Sequence, residues 1–316
     1  MTRIVIAGAS GFIGRYLQAR YRAAGAEVAT IGRRGADAVW GDTAAITELL
    51  TGADLLVNLA GKSVNCRYTP ANRAEILRSR VATTTELAEA VRASSAPPPL
   101  WVNSSTATIY RHAEDRAMTE STGEIGTGFS VSIATSWEEA FFAGALPGTR
   151  RVALRMAIVL GDDGALVPMI RLARAGLGGP QWDGRWFATA TRRAAGTFHE
   201  FRARWGRQRF SWIHVEDVHD IIEFVRDNDG VDGVLNAASP EPRDNVELMR
   251  ALRRSLGMPF GLPTPRFVTE LGAAVIGTET ELILKSRWVV PERLTALGYR
   301  FRHPHLEGAL AGIVAR

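Results

Sequence analysis

The chain has 316 residues, 46% of them hydrophobic and 22% charged, with a formal charge of +5 and a pI near 9.8. That length can bury one large α/β core or a main domain with a satellite, and no run approaches the roughly 20 apolar residues of a membrane span. A single cysteine, Cys66, excludes an internal disulfide and suits a reducing cytoplasm. Lys62 and Lys285 are the only lysines, so the positive charge is nearly all arginine. The arginines are scattered and form no nucleic-acid module; an anionic cofactor and an anionic substrate explain them better than a nucleic acid does.

In chain order, Ile4–Ala7 reads as a buried strand, too close to the start for a signal peptide to precede it. It enters Gly8-Ala9-Ser10-Gly11-Phe12-Ile13-Gly14, where three glycines open an amphipathic helix carrying Phe12, Ile13, Tyr16 and Leu17. A glycine triplet between strand and helix is a dinucleotide-binding turn. Gly8 permits the bend, Gly11 admits a pyrophosphate to the backbone, and Gly14 lets helix and strand pack closely. Ser10, Phe12 and Ile13 are then also expected at the cofactor.

A second strand, Glu27–Ile31, ends in Gly32-Arg33-Arg34. An acidic residue here would hold the ribose hydroxyls of NAD, whereas two guanidinium groups suit a 2′-phosphate, which predicts NADP(H). The competing reading of Arg33 and Arg34 is a pair of solvated loop charges. A third strand near Ala38–Trp40 precedes Asp42, expected at the adenine edge. A fourth, from Leu55, ends in Leu59-Ala60-Gly61, small enough to leave room for a cofactor. Lys62 follows, as a phosphate or ribose ligand or as a surface lysine.

A long helix is predicted from Ala71 to Ala93 with Ile76, Val81, Leu87 and Val91 inward, stopped by Ser94 to Pro99. The fifth strand, Leu100–Asn103, runs into the hydroxyl-rich Ser104-Ser105-Thr106-Ala107-Thr108-Ile109-Tyr110. A helix over 129–143 and a sixth strand, Val152–Arg155, come next. Strand and helix alternate throughout, which implies right-handed crossovers and a doubly wound parallel sheet of Rossmann type. Further on, a helix near Val246–Leu256, Pro-rich turns and a helix from Glu279 to Trp288 suggest a smaller C-terminal α/β substrate domain. The expected division is 1–165 plus about 208–234 for the dinucleotide domain, and 166–207 plus 235–316 for the substrate domain.

The order of Gly8-x-x-Gly11-x-x-Gly14, Asn58-Leu59-Ala60-Gly61, Ser104 to Tyr110, Leu154-Arg155 and Ser211-Trp212-Ile213-His214-Val215-Glu216-Asp217-Val218 resembles the extended short-chain dehydrogenase/reductases. Arg67-Tyr68-Thr69-Pro70, Trp137-Glu138, Gly176-Leu177-Gly178-Gly179-Pro180 and the tail from Pro291 to Tyr299 resemble its atypical nucleoside-diphosphate-sugar epimerase group, NAD(P)-dependent epimerase/dehydratase chains with a C-terminal domain of unknown function. The resemblance spans nearly the whole chain and implies a cofactor role for Arg155.

The larger family transfers a hydride with a Tyr-x-x-x-Lys pair, four residues apart so that the ammonium lies beside the phenol and lowers its pKa from about 10. Aligning on Glu138 puts Ser130 at the tyrosine and Ala134 at the lysine, so the pair is absent. An alkanol does not ionise as a phenol does, and Ala134 carries no charge. Three residues are candidates to compensate: Thr106 as the hydroxyl that polarises a carbonyl, Tyr110 as the nearest phenol, and Ser130 itself. Each has a structural alternative in capping or core packing. His214 and Asp217 read as structural hydrogen-bonding groups, and no metal-ligand spacing is present.

Between Trp182 and Arg207 the chain adds a segment with Arg185, Trp186, Arg192, Arg193, His199, Phe201, Arg202, Arg204 and Trp205. It reads either as a lid whose arginines meet an anionic substrate or as a surface excursion or dimer contact. Two functions stand at this point. One is an NADP(H)-dependent oxidoreductase or epimerase-like enzyme acting on a nucleotide sugar or another anionic carbonyl compound, as a monomer or homodimer in the cytoplasm. The other is a catalytically inactive NADP(H) sensor or scaffold.

Overall fold

The structure, a computed structural model, describes residues 1–315 and, among them, every side chain except that of Arg204. Its strands are β1 (Arg3–Ala7), β2 (Glu27–Gly32), β3 (Ala38–Val39), β4 (Leu55–Asn58), β5 (Leu100–Thr106), β6 (Arg150–Met156), β7 (Ile158–Leu160), β8 (Arg209–Phe210), β9 (Trp212–His214), β10 (Gly233–Ala237) and β11 (Arg243–Asp244). The first helices are α1 (Phe12–Ala23), α2 (Thr43–Leu50), α3 (Pro70–Ala93), α4 (Phe129–Phe142), α5 (Leu166–Leu172) and α6 (Ala190–Ala194). They are followed by α7 (Val215–Asp227), α8 (Asn245–Ser255), α9 (Arg266–Ile276), α10 (Glu281–Leu284), α11 (Glu292–Ala296) and α12 (Leu306–Val314).

Seven strands form one sheet in the order β10-β6-β5-β4-β1-β2-β3, and each neighbouring pair runs parallel. Strand alternation divides its apolar side chains between two layers. Ile4, Ile6, Val57 and Leu154 pack with Leu17 of α1 and Ile221 of α7. Val5, Ala7, Leu56 and Trp101 pack with Leu50 of α2, Leu87 of α3 and Phe141 of α4. The chain's progress across the sheet reverses between β1 and β4, so the crevice for a ligand opens at the carboxyl ends of those two strands.

A second core joins the later elements: Leu248 and Leu252 of α8 meet Leu306 and Leu310 of α12, with Trp212 of β9 among them. The helix α8 begins at a capping box in which Asp244 and Glu247 satisfy each other's backbone N–H. The tail returns to the main domain, where Leu294, Tyr299 and Phe301 pack against the α7 side of the sheet.

Three expectations change. The last sheet strand runs Gly233–Ala237 and pairs with β6, so it spans the expected 234/235 boundary. The helix expected from Glu279 to Trp288 is only Glu281–Leu284. Beyond it the backbone is extended because its polar groups bond elsewhere: Arg287 N–H donates to the Arg209 carbonyl, Ser211 N–H to the Arg287 carbonyl, and Met118 N–H to the Trp288 carbonyl. The Pro-rich region instead launches α9 straight after Pro265. Val81 is only partly buried, while Thr84, Ala88 and Ala90 join Ile76, Leu87 and Val91 on the inner face of α3.

Candidate cofactor and substrate cleft

At the turn after β1, Gly8 has φ +78°, and a Cβ there would lie 2.7 Å from the Leu59 and Ala60 backbone. Gly14 is equally confined, its added Cβ falling 2.7 Å from the Ala9 Cα. Gly11 differs: a Cβ there would meet nothing nearer than the Gly8 carbonyl at 3.5 Å. Nothing within the protein requires a glycine at Gly11, so the open side of the turn is the part shaped for something else. Gly11 caps α1 without a side-chain bond, and Ser10 and Gly11 are exposed. Arg15 holds the turn from behind, donating to the Ser10 carbonyl at 2.6 Å and to Asp163 at 2.6 Å. Phe12 and Ile13 are half-buried, Phe12 packing on Gly161 and Gly164.

Beneath the facing loop lies a buried amide pair. Asn58 donates to Asn103 at 2.7 Å and accepts from Ala60 N–H at 3.0 Å, which fixes Leu59-Ala60 against Gly8. Gly61 is exposed in front of the half-buried Arg80, whose pKa is lowered by desolvation to about 10. Lys62 donates from Nζ to Asn72 at 2.9 Å.

Arg33 and Arg34 are exposed after β2, and neither makes a side-chain hydrogen bond or ion pair among the described residues. The nearby carboxylate, Asp37, is turned back onto β2, accepting from the Thr30 N–H and hydroxyl at 2.8 and 2.7 Å. The Thr30 hydroxyl bond holds its carboxyl below the usual range. The end of β2 therefore presents guanidinium groups and no free carboxylate of its own. Asp42, expected at adenine, is the N-cap of α2 and accepts from Ala45 N–H at 3.0 Å.

Arg155, expected at the cofactor, is engaged within the protein. Its guanidinium forks onto Glu138 at 2.8 and 2.6 Å, and its third nitrogen donates to the Tyr110 hydroxyl at 2.9 Å. Burial works against the charge, and the Glu138 bonds overcome it, holding Arg155 above its ordinary pKa. Tyr110, in turn, is 1% exposed and donates to Asn236 at 2.9 Å, with burial raising its pKa. Both groups belong to a satisfied core network, and this geometry speaks against Tyr110 as a proton donor. Thr106 accepts from Thr108 N–H at 3.1 Å, capping the short turn after β5. Asp217 accepts from the N–H groups of Arg302 and His303 at 2.7 and 3.0 Å, tying the tail to α7. His214, Glu216 and His303 bring ligand atoms within 4.8 Å of one another. These are not idle groups: His303 Nε2 lies 2.9 Å from Glu216 and His214 Nδ1 accepts from Glu216 N–H.

Ser130 stands in a cluster that sequence reasoning missed. Its hydroxyl donates to Glu281 at 3.0 Å. The Tyr68 hydroxyl is buried beside it, with no hydrogen-bond partner among the described residues, and burial raises its pKa. Lys285 donates from Nζ to the Thr108 carbonyl at 2.9 Å, and Arg287 to the Thr108 hydroxyl at 3.2 Å. Burial lowers Lys285 to about 8, Glu281 acting against the shift and Arg287 with it. Thus Ser130 is brought together with a phenol from the approach to α3 and with charged groups around α10. The rarity of lysine was the one signal in the sequence that pointed to Lys285.

A cavity of about 570 Å³ borders this cluster, lined by Gly128, Glu281 and Lys285 on one side and by Arg193, His199 and Phe201 of the inserted segment on the other. Arg111 and His112, which follow β5, complete it, so it lies beyond the carboxyl end of the sheet. The two arginines singled out in the insertion part company. Arg192 is spent on Glu270 and Glu279 at 3.4 and 3.2 Å, whereas Arg193 is exposed at the cavity. The segment itself is anchored by Asp183, which contacts His199 and Arg266 at 2.7 and 2.6 Å with all three side chains buried.

This arrangement defines a dinucleotide-binding α/β protein with a cavity beyond the carboxyl end of its sheet. The chain belongs to the NAD dependent epimerase/dehydratase family, whose model matches residues 4–238. Residues 264–313 match a C-terminal domain of unknown function, DUF1731. The chain is 34% identical to epimerase family protein SDR39U1 of Bos taurus, covering 99% of this chain and all of that one. It is 28% identical to epimerase family protein YfhF of Bacillus subtilis, covering 99% and 98%. A crystal structure of human SDR39U1 (isoform 2) with NADPH matches over the full length of both chains at 29% identity, with a TM-score of 0.85.

Proposed function

We propose that this chain is an NADP(H)-dependent oxidoreductase or epimerase-like enzyme whose substrate is an anionic carbonyl compound, such as a nucleotide sugar. The observation that carries the reading is the turn at Gly8, Gly11 and Gly14 with Arg33 and Arg34 free at the end of β2. The open face of Gly11 admits a diphosphate to the N–H groups at the start of α1, and the two guanidinium groups meet a 2′-phosphate with charge-assisted bonds. The NADPH in the human relative supports the same cofactor here. When bound, the nicotinamide supplies or accepts a hydride. Leu59, Ala60, Gly61 and Lys62 wall the crevice, and Arg193 meets the anionic part of the substrate. The lone Cys66 suits a reducing cytoplasm.

A fluorescence titration tests this. NADPH should bind at least about tenfold tighter than NADH, and Arg33→Ala with Arg34→Ala should remove that preference, since a hydrogen bond to a charged group contributes roughly 1.5–3 kcal/mol. Equal affinity for the two cofactors overturns the reading. A non-catalytic NADP(H) sensor is favoured by one observation: at the position of the family tyrosine, Ser130 is already engaged by Glu281. Single-turnover absorbance of bound NADPH with a panel of carbonyl compounds separates the two, an unchanging nicotinamide band supporting the sensor.

A further inference from the structure

Lys285 is 4% exposed yet lines the cavity, and a lysine is among the residues least often fully buried without a partner charge. No carboxylate bonds its Nζ among the described residues. The nitrogen is held by the Thr108 carbonyl at 2.9 Å, which accepts one N–H and leaves the lone pair of the neutral amine unengaged. Glu281 is near enough to act on its charge, and one Glu281 oxygen is fixed by Ser130 at 3.0 Å.

The groups around the cavity set its charge. Arg111 is neutralised by Asp115 and Glu124, at 2.7 and 2.8 Å. His112 accepts Ser286 N–H at Nδ1 and lies 2.9 Å from Glu114 at Nε2; burial lowers its pKa, with Glu114 acting against the shift. His199 is paired with Asp183, and Arg287 is buried behind Lys285 with its pKa lowered by that burial. Glu200 lies at the margin, exposed. Arg193 is left as an exposed cation on the lining that it shares with the buried amine.

We propose that Lys285 is a nucleophilic amine and that this cavity captures small anionic carbonyl compounds as imines on its Nζ. The amine lone pair adds to the carbonyl carbon, and the C=O π pair moves to oxygen. A nitrogen proton passes to that oxygen by way of Glu281, and loss of water closes the C=N bond, with no oxidant or reductant consumed. Arg193 holds the carboxylate of the compound. Burial brings the amine to about 8, against about 10.4 for an ordinary lysine, so near pH 8 half of it is the reactive form. This proposal rests on the cavity and not on the dinucleotide reading.

The test treats the full-length protein with glyoxylate and sodium cyanoborohydride between pH 6 and pH 9 and maps the reduced adduct by mass spectrometry. The chain's two lysines make the assignment clean. Lys285 should carry at least about ten times the adduct found on Lys62 at pH 8, rising to a plateau above about pH 8. Lys285→Met and Lys285→Arg should abolish it while still melting cooperatively and keeping the wild-type NADPH titration, so that loss of labelling is separable from loss of fold. Glycolaldehyde, which carries no charge, should label less, and Arg193→Ala should erase that difference. Equal labelling of Lys62 and Lys285, no adduct on Lys285, or no preference for glyoxylate over glycolaldehyde overturns the proposal.

Discussion

The three glycines of the opening turn do different work, and single substitutions separate them. Gly11 has φ −75°, and its added Cβ would touch only the Gly8 carbonyl at an ordinary 3.5 Å. Gly11→Ala should therefore leave the melting temperature within about a degree of wild type while weakening NADPH at least tenfold, because the methyl group enters the space of the diphosphate. A titration unchanged by Gly11→Ala would remove the diphosphate from that face. Lys285 carries a second consequence at this scale. Its folded pKa of about 8 lies below the roughly 10.4 of an unfolded lysine. Between those values the unfolded chain binds a proton that the folded chain does not, so stability rises with pH across the window, by up to about 3 kcal/mol. The gain is complete above the unfolded value and is lost as pH falls to about 8. Denaturant melts from pH 7.5 to 10 should show that rise in the wild type and a flatter profile in Lys285→Met.

At the scale of elements, the segment from Trp182 to Arg207 is held less by apolar packing than by charge. Asp183 joins His199 and Arg266 out of solvent, and Arg192 spans Glu270 and Glu279. Burial opposes ionisation of Asp183, and the His199 and Arg266 contacts overcome it, keeping the carboxyl below its usual range. Asp183→Asn leaves Arg266 with Glu270 as its one carboxylate among the described residues, and removing one member of such a buried set typically costs about 3–5 kcal/mol. The cost should fall on the segment first: trypsin should cut after Arg185 or Arg202 markedly faster in Asp183→Asn, while NADPH affinity is unchanged. Equal digestion rates would show that packing, not charge, secures it. The sequence predicted a segment at this place and its arginine content but not its anchoring, because Asp183, His199 and Arg266 meet across 83 residues of chain. The regular elements were legible for the opposite reason. Period-two and period-3.6 patterns are local, and they mark β1, β2, β4, α3 and α4 to within a few residues. Where backbone partners come from far away, as for Ser286–Val290 against Arg209, Ser211 and Met118, a helical reading of Glu279–Trp288 failed. The partner of Arg155 was likewise hidden: the residue lies within β6, and only the fold shows it paired with Glu138.

For the whole molecule, the division of labour follows the order of the chain. The crevice at the reversal of strand order is built by residues up to Lys62, whereas the cavity needs three remote contributions: the loop before α4, the inserted segment, and the stretch around α10. The sheet itself closes only with β10, and the tail then returns along α7 through Leu294 and Tyr299. Since domains form as units while synthesis proceeds from the N-terminus, the parts that grip a nucleotide leave the ribosome long before Lys285 does. A nascent chain thus has its handle before it has its reaction vessel, which stays incomplete until the stretch around α10 joins the inserted segment and the loop before α4.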